Sequence, residues 1–396
     1  MKVEQSKYLA EVSRCVRCGS CKAFCPTYNS SELEAFGARG RLRLLKGLLS
    51  GQLQPSPLLN DRIFSCLLCG ACDATCPLGV DISGAIYYGR RLLHKTDKKR
   101  RYLRALVKFS AKRPELSLGI LRMSQNILLP ALVRRGIIPF NPEVPDGFPG
   151  NRDQVYSVPK KRGRVAIFMG CSVNFLLPHL GEALINVLKK LGYEVIVPKG
   201  SVCCGTPLHT LGLEEEAAKL ARKNLQIFSR LKVEAILSLC PTCTLALKTE
   251  YPKMTGEGLE NVMDISVFFN DRLEFSAPID KTSVYHDPCH LYHGLNVRKE
   301  PREIIGKAGI GLIDMEDRGC CGFGGLFCLS NKEISGDLLN EQTEKLMNTG
   351  ADTVITSCPG CMLQLSRTIT DRPVLHLVEL IEEAYCFRQS GKEAEG

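Results

Sequence analysis

The sequence predicts a multidomain chain that combines α+β and α/β architecture. A mainly helical, cysteine-rich unit comes first, followed by two pseudo-symmetric α/β units of one design. Three observations predict this. A four-cysteine run occurs twice in the first eighty residues, at Cys15–Cys25 and Cys66–Cys76. A five-cysteine pattern occurs twice in the second half, the copies offset by 118 residues. Within each copy short apolar runs alternate with amphipathic stretches, which is how parallel sheets flanked by helices read in sequence.

The chain has 396 residues and a net charge of +10, with 20 cysteines and 44% hydrophobic residues. That length supports two or three domains with their own cores. The predicted divisions are residues 1–100, a basic helical segment and linker over 101–163, and repeats over 164–278 and 279–396. Clustered cysteines in so long a chain, with no apolar leader core in Met1–Ala10, point to bound metal in a reducing compartment rather than to disulfides. No apolar run reaches the ~18 residues of a transmembrane helix. The predicted location is cytoplasmic, peripheral at the inner face of the cell membrane.

In the first unit, Cys15-x2-Cys18-x2-Cys21-x3-Cys25-Pro26 and Cys66-x2-Cys69-x2-Cys72-x3-Cys76-Pro77 share one spacing. It is the signature of two-cluster ferredoxins, in which the fourth cysteine of each run ligates the other run's cluster. The reading assigns Cys15, Cys18, Cys21 and Cys76 to one [4Fe–4S] cluster, and Cys66, Cys69, Cys72 and Cys25 to a second. Paired zinc sites are the competing reading. Between the runs, leucines over Ala35–Leu49 recur at helical spacing, predicting a helix packed on the clusters. Its Arg39, Arg41 and Arg43 read as a solvated face, in preference to cations that offset cluster charge.

Residues 90–113 hold eleven Lys/Arg against one acid, Asp97. Residues 116–138 follow as one or two amphipathic helices, with Pro130, Pro139 and Pro142 as expected breaks. A solvated face, an anionic lipid surface and an acidic partner all fit this charge. Nucleic acid is not expected, because no recognition motif or aromatic interleaving accompanies it. Residues 139–163 read as the linker.

The repeats follow one plan. Cys171, Cys203-Cys204 and Cys240-x2-Cys243 match Cys289, Cys320-Cys321 and Cys358-x2-Cys361. Predicted strands at 164–170, 194–198 and 233–239, and at 282–285, 311–314 and 353–356, alternate with helices. Cys171, Cys240, Cys289 and Cys358 then lie just beyond strand ends, where open α/β sheets bind ligands. Each five-thiolate set suits a soft metal centre, iron–sulfur or zinc. The expectation is two related pockets, one in each lobe.

With Cys203-Cys204-Gly205 and Cys320-Cys321-Gly322 as central triplets, and Tyr285-His-Asp-Pro-Cys-His290 before the second, both repeats resemble the cysteine-rich (CCG) domain of heterodisulfide reductases. The whole order resembles the glycolate oxidase iron–sulfur subunit family, as does Gly37–Lys46 between the cluster motifs. The D-type heterodisulfide reductases and the iron–sulfur relay of anaerobic glycerol-3-phosphate dehydrogenase share the layout. The resemblance implies one or two noncubane [4Fe–4S] clusters in the CCG domains, held by Cys171, Cys203, Cys204, Cys240 and Cys243 and by Cys289, Cys320, Cys321, Cys358 and Cys361. It implies an electron-transfer subunit serving an FAD-containing 2-hydroxy-acid (glycolate or lactate) dehydrogenase subunit, with a quinone or other carrier as acceptor. The alternatives are a catalytic disulfide reductase of the D-type, in keeping with both C-x-x-C pairs being intact, and a membrane electron relay of the glycerol-3-phosphate dehydrogenase kind.

Other residues read as structural. His286, His290 and His293 surround Cys289, and hydrogen-bonded support is preferred to ligation or proton transfer for them. His209 and His376 carry less signal. Cys328 and Cys386 read as bystander thiols. Gly322, Gly324 and Gly325 fit close backbone approach to a cluster better than a phosphate loop. No dinucleotide fingerprint is found.

Overall fold

Helices Lys2–Ser13, Ala38–Leu49, Pro57–Phe64 and Ile82–Leu93 form the N-terminal unit. The computed structural model describes residues 2–126, 128–136, 138, 145, 153–275, 279–315 and 318–392. Local chemistry sets several helix starts. Ser56 and Asp81 accept hydrogen bonds from the Leu59 and Gly84 amides, at 3.2 and 3.0 Å, and Pro57 occupies the first helical position, where its missing N–H costs nothing. Leu42, Leu45, Ile63, Ile86 and Leu93 bury their side chains in a common core.

The basic segment folds as helices Arg101–Lys112, Pro114–Ser124 and Leu128–Arg134. Pro130 does not break the last of these. It sits in the first turn, where amides have no intrahelical acceptor to lose. The reading of this charge as solvated is corrected for part of it. Arg90, Arg100, Arg104 and Asp97 are buried. Asp97 pairs with Arg100 at 3.3 Å and Arg104 at 2.5 Å, and all three guanidinium groups lie within 5.3 Å of the centre of the Phe64 ring. Within the expected linker, residues 139–144 and 146–152 lie outside the described residues. Gln154–Tyr156 is a strand, β1, and not linker.

β1 pairs antiparallel with β3 (Tyr193–Val197) at the edge of a five-stranded sheet ordered β1-β3-β2-β4-β5. β2 is Gly163–Ile167, β4 Ala235–Ser238 and β5 Val262–Asp264, and β3-β2-β4-β5 are mutually parallel. The second sheet is wholly parallel and ordered β7-β6-β8-β9: β6 Thr282–His286, β7 Gly311–Ile313, β8 Thr353–Thr356 and β9 Val374–His376. The strand order of the repeats is thus the same. The three-residue strands β5 and β9 were not anticipated, being too short to show periodicity. The repeats are not separate beads, for one apolar core runs through Ile167, Leu184 and Leu188 of the first and Ile304, Ile355 and Ile381 of the second. That shared core holds the two cysteine-bearing rims together.

Candidate metal centre

Cys15, Cys18, Cys21 and Cys76 line one cavity, with Arg39, Leu42 and Val80 in its wall. Cys66, Cys69, Cys72 and Cys25 line another, with Arg41, Leu67, Leu68 and Ile86. The structure therefore brings the fourth cysteine of each run to the other run's cavity. Chain reversal explains the exchange: Cys25 and Cys76 are extended and precede Pro26 and Pro77, which turn the chain away. Each run also carries the same backbone distortion. Arg17 and Leu68, with φ of 60° and 58°, and Gly19 and Gly70, at 92° and 78°, are left-handed. A non-glycine residue held there costs of order 1 kcal/mol or more, and such strain concentrates at binding sites. It turns amides inward: Leu68 N–H donates to Cys66 Sγ at 3.4 Å.

Two arginines of one helix meet these cavities differently. Arg39 forms a two-pronged pair with Glu34, at 2.6 and 2.9 Å, which holds that carboxyl at about 2. Arg41 is fully buried, donating to Arg62 O, Thr27 Oγ1, Ser65 O and Ser65 Oγ. Only Arg43 remains exposed, so the solvated-face reading holds for that residue and fails for Arg41.

In the repeats, β-strand ends deliver the thiols. Cys171 follows β2, Cys203-Cys204 follow β3 and Cys240 follows β4; Cys289, Cys320-Cys321 and Cys358 stand likewise after β6, β7 and β8. Each set forms a continuous row of neighbouring thiols. One runs Cys171, Cys203, Cys204, Cys243, Cys240. The other runs Cys289, Cys320, Cys321, Cys361, Cys358, with Cys321 and Cys361 sulfurs 3.3 Å apart. The rows meet, because Cys240 and Cys358 are themselves neighbours. Each repeat thus gathers its own five cysteines, and the two rows adjoin at Cys240 and Cys358.

The N-terminal unit abuts these rows. Cys69 is buried with Leu67, Ala71 and Phe327 against Cys289 and Cys320. His290, in a π-helical turn directly after Cys289, joins three units: one ring nitrogen lies 2.8 Å from Thr242 Oγ1 of the first repeat and the other 2.9 Å from Leu68 O. π-turns recur at functional sites. On the first repeat's side, Arg90 donates to Thr210 O, and Tyr87 stacks on His209 at 3.8 Å.

The remaining histidines divide. His376 sits 2.9 Å from Leu239 O and supports the seam. His209 is buried, which pushes its pKa down to about 3. His286 is different: its ring nitrogen, Cys321 Sγ and Cys361 Sγ all lie within 4.8 Å of one another. The matching position in the first repeat is Phe168, the chain having His286 three residues before Cys289 and Phe168 three before Cys171. That asymmetry was readable from the aligned copies. Cys328 is buried and donates to Gly325 O at 3.2 Å, apart from both rows. The side chain of Cys386 lies outside the described residues. A Cβ at Gly322 would lie 2.5 Å from Ser335 O and one at Gly324 2.6 Å from Leu67 Cδ2, while one at Gly325 would meet no atom within 4 Å.

The donor chemistry fits iron–sulfur clusters. Burial pushes the Cys69 and Cys72 thiols well up. In the rows, hydrogen bonds from Cys203, Cys289 and Cys240 pull Cys204, Cys320 and Cys358 down, while Cys203, Cys289 and Cys361 are held up. Buried thiols this close cannot all ionise without cations among them, and iron supplies that charge and displaces their protons.

The comparisons with known proteins agree. A 4Fe-4S dicluster domain model matches residues 11–80, and a cysteine-rich domain model matches residues 165–248 and 283–366. An uncharacterized iron-sulfur protein of Methanocaldococcus jannaschii is 30% identical over 368 residues, covering 91% of this chain and 68% of that protein. The probable glycolate oxidase iron-sulfur subunit of Bacillus subtilis is 26% identical, covering 94% of each chain. A subunit of the dihydromethanophenazine:CoB–CoM heterodisulfide reductase of Methanosarcina barkeri is 27% identical, covering 95% of this chain and 94% of that one.

Proposed function

We propose, since the chain belongs to the family of iron–sulfur proteins that join a 4Fe-4S dicluster domain to two cysteine-rich domains and that includes the glycolate oxidase iron-sulfur subunits, that it is the electron-carrying subunit of a 2-hydroxy-acid dehydrogenase complex. An FAD-containing partner subunit would oxidise glycolate or lactate, and a quinone or another carrier would accept the electrons. One observation carries this reading. Exposed Cys18 lines the first N-terminal cavity, Ile82 lines both cavities, Cys69 of the second packs beside Cys320, and the two rows of repeat cysteines adjoin at Cys240 and Cys358.

In this reading Cys15, Cys18, Cys21 and Cys76 hold one [4Fe–4S] cluster, and Cys66, Cys69, Cys72 and Cys25 hold the other. The ten repeat cysteines hold one or two noncubane clusters. Bound there, these groups supply one-electron oxidation and reduction. The protein's own part is to position and to exclude water. Leu67, Ala71, Phe327 and Leu338 enclose Cys69 and pack against Cys320 in one apolar cluster. Arg41 braces that cavity through its four hydrogen bonds and brings a cation to its edge. His290 fixes the N-terminal loop at Leu68 against the seam.

The test uses the purified chain with and without its flavoprotein. Iron and acid-labile sulfide should be present, and the chain alone should not oxidise hydroxy acids with artificial acceptors. Hydroxy-acid oxidation by the chain alone would overturn the reading.

A second reading, disulfide reduction at the repeats, is favoured by the Cys240–Cys358 contact and the complete set of ten cysteines. A thiol-dependent paramagnetic signal in the oxidised protein would support it, and an unresponsive spectrum would leave the relay alone.

A further inference from the structure

The helix Arg101–Lys112 carries two apolar stripes where a surface helix needs one. Leu103, Val107 and Ala111 pack inward against Leu208, Leu211 and Leu213 of the first repeat. Tyr102, Leu106 and Phe109 line the opposite face, with Tyr102 78% and Leu106 60% exposed. The next helix, Pro114–Ser124, repeats the pattern at the spacing of one helical face. Its Leu116, Ile120 and Met123 are exposed, Met123 to 86%, and Leu128 continues the patch. Isolated exposed apolar residues are ordinary, but here two adjacent helices each present an exposed stripe that no element among the described residues covers.

The charge around the stripes identifies the occupant. Residues 95–136 hold twelve Lys/Arg against two acids. Some of this charge is consumed internally: Arg100 and Arg104 on Asp97, Lys99 on Asp61, Lys108 on Glu216. Lys98, Arg101, Lys112, Arg113, Arg134 and Arg135, in these helices or flanking them, remain exposed. Protein interfaces are depleted of lysine at their centres, whereas one-signed cations bordering an apolar stripe match acyl chains beneath anionic headgroups. Tyr102, with its apolar ring and polar tip, suits the boundary layer. No single helix among the described residues is long and apolar enough to cross a bilayer, and the helices Pro114–Ser124 and Leu128–Arg134 meet at 73°. They can lie in the headgroup layer but do not form a straight span.

We propose that this face, Tyr102/Leu106/Phe109 with Leu116/Ile120/Met123 and the surrounding lysines and arginines, docks the protein on the surface of an anionic phospholipid bilayer. The dehydrogenase reading is not needed for this, and the test does not depend on electron transfer.

The cluster-loaded full chain is sedimented with vesicles of phosphatidylcholine alone or with about one-third phosphatidylglycerol. Each cation near an anionic surface contributes about a fivefold gain in partitioning, screened by salt. Binding to the anionic vesicles only, falling at least tenfold at high salt, is expected. The variants Leu106→Glu/Phe109→Glu and Ile120→Glu/Met123→Glu should each reduce it at least tenfold, and Lys112→Glu/Arg113→Glu likewise. All six side chains are exposed or at the surface, and unchanged visible absorbance of the clusters confirms that each variant is folded. Absent binding, or binding that the stripe variants leave intact, overturns the proposal. So does a result in which the same variants dissociate a homodimer or release the flavoprotein while vesicles are ignored, since a protein then covers the face.

Discussion

Replacing Arg41 by Met tests whether the second cavity is held by one buried guanidinium. The side chain is 1% exposed. Its Nε donates to Arg62 O at 2.9 Å, and its Nη2 donates to Ser65 O at 2.9 Å, Ser65 Oγ at 3.1 Å and Thr27 Oγ1 at 3.1 Å. These acceptors lie within four residues before Cys66 or two residues after Cys25. Methionine keeps the apolar stem and donates nothing. Arg62 O retains the Ser65 hydroxyl at 2.9 Å, and Thr27 still donates to Phe36 O at 2.7 Å, so the main orphan is Ser65 O. A hydrogen bond from a charged donor contributes about 1.5–3 kcal/mol, and an orphaned buried acceptor costs about 1–3 kcal/mol. Relief from burying a charge offsets part of this. The expected net loss is roughly 2–4 kcal/mol. Arg43→Met removes the same charge from the same helix at an exposed position and should cost within about 0.5 kcal/mol. Guanidinium unfolding followed by cluster absorbance compares the two, and hydrogen exchange should quicken at Cys66–Cys72 in Arg41→Met only. Removing the cation should also lower the reduction potential of the cluster proposed for Cys66, Cys69, Cys72 and Cys25. Equal stability of the two variants would refute the reasoning, because then neither the bonds nor the burial of Arg41 matters.

Three further outcomes are expected. Cys25→Ser should perturb the paramagnetic signal of the cluster assigned to Cys66, Cys69 and Cys72 more than that of the cluster beside Cys15; loss of the latter instead would reverse the assignment. Gly212→Ala should cost about 2–3 kcal/mol, because Gly212 has φ of 80° and an added Cβ would lie 2.4 Å from Arg90 O, a backbone atom of the N-terminal unit; faster exchange at the Arg90–His94 amides locates the damage. Burial pushes the Asp264 carboxyl up to about 7, against the opposing hydrogen bond from Ser266, and its Oδ2 has no hydrogen-bond partner among the described residues. A folded value above the unfolded one gives stability that is full below about pH 4 and is lost progressively as pH rises to about 7. Between pH 5 and 8 the wild type should therefore lose roughly 2–3 kcal/mol relative to Asp264→Asn, and parallel stability curves for the two would count against that carboxyl.

Cysteine spacing was enough to pair the N-terminal runs, because a x2-x2-x3 spacing ending in proline constrains a few residues whatever surrounds them. The repeat was equally readable, since two copies of one pattern report one fold, and strand-end placement of Cys171, Cys240, Cys289 and Cys358 follows from alternating strand and helix. What the tertiary structure decided is where charge and thiols meet across distant segments. Arg41, Arg43, Arg90 and Arg101 look alike in sequence; burial depends on whether carbonyls such as Ser65 O, Phe64 O and Thr210 O converge on the guanidinium, and those come from other elements. The strands β1, β5 and β9, three residues each, exist because a neighbouring strand pairs with them, not through any pattern of their own. The meeting of Cys240 and Cys358, 118 residues apart, depends on the two sheets sharing one core. Local spacing thus determined which cysteines act together within a run or repeat, and only packing, which sets distances between segments, determined that the two rows adjoin.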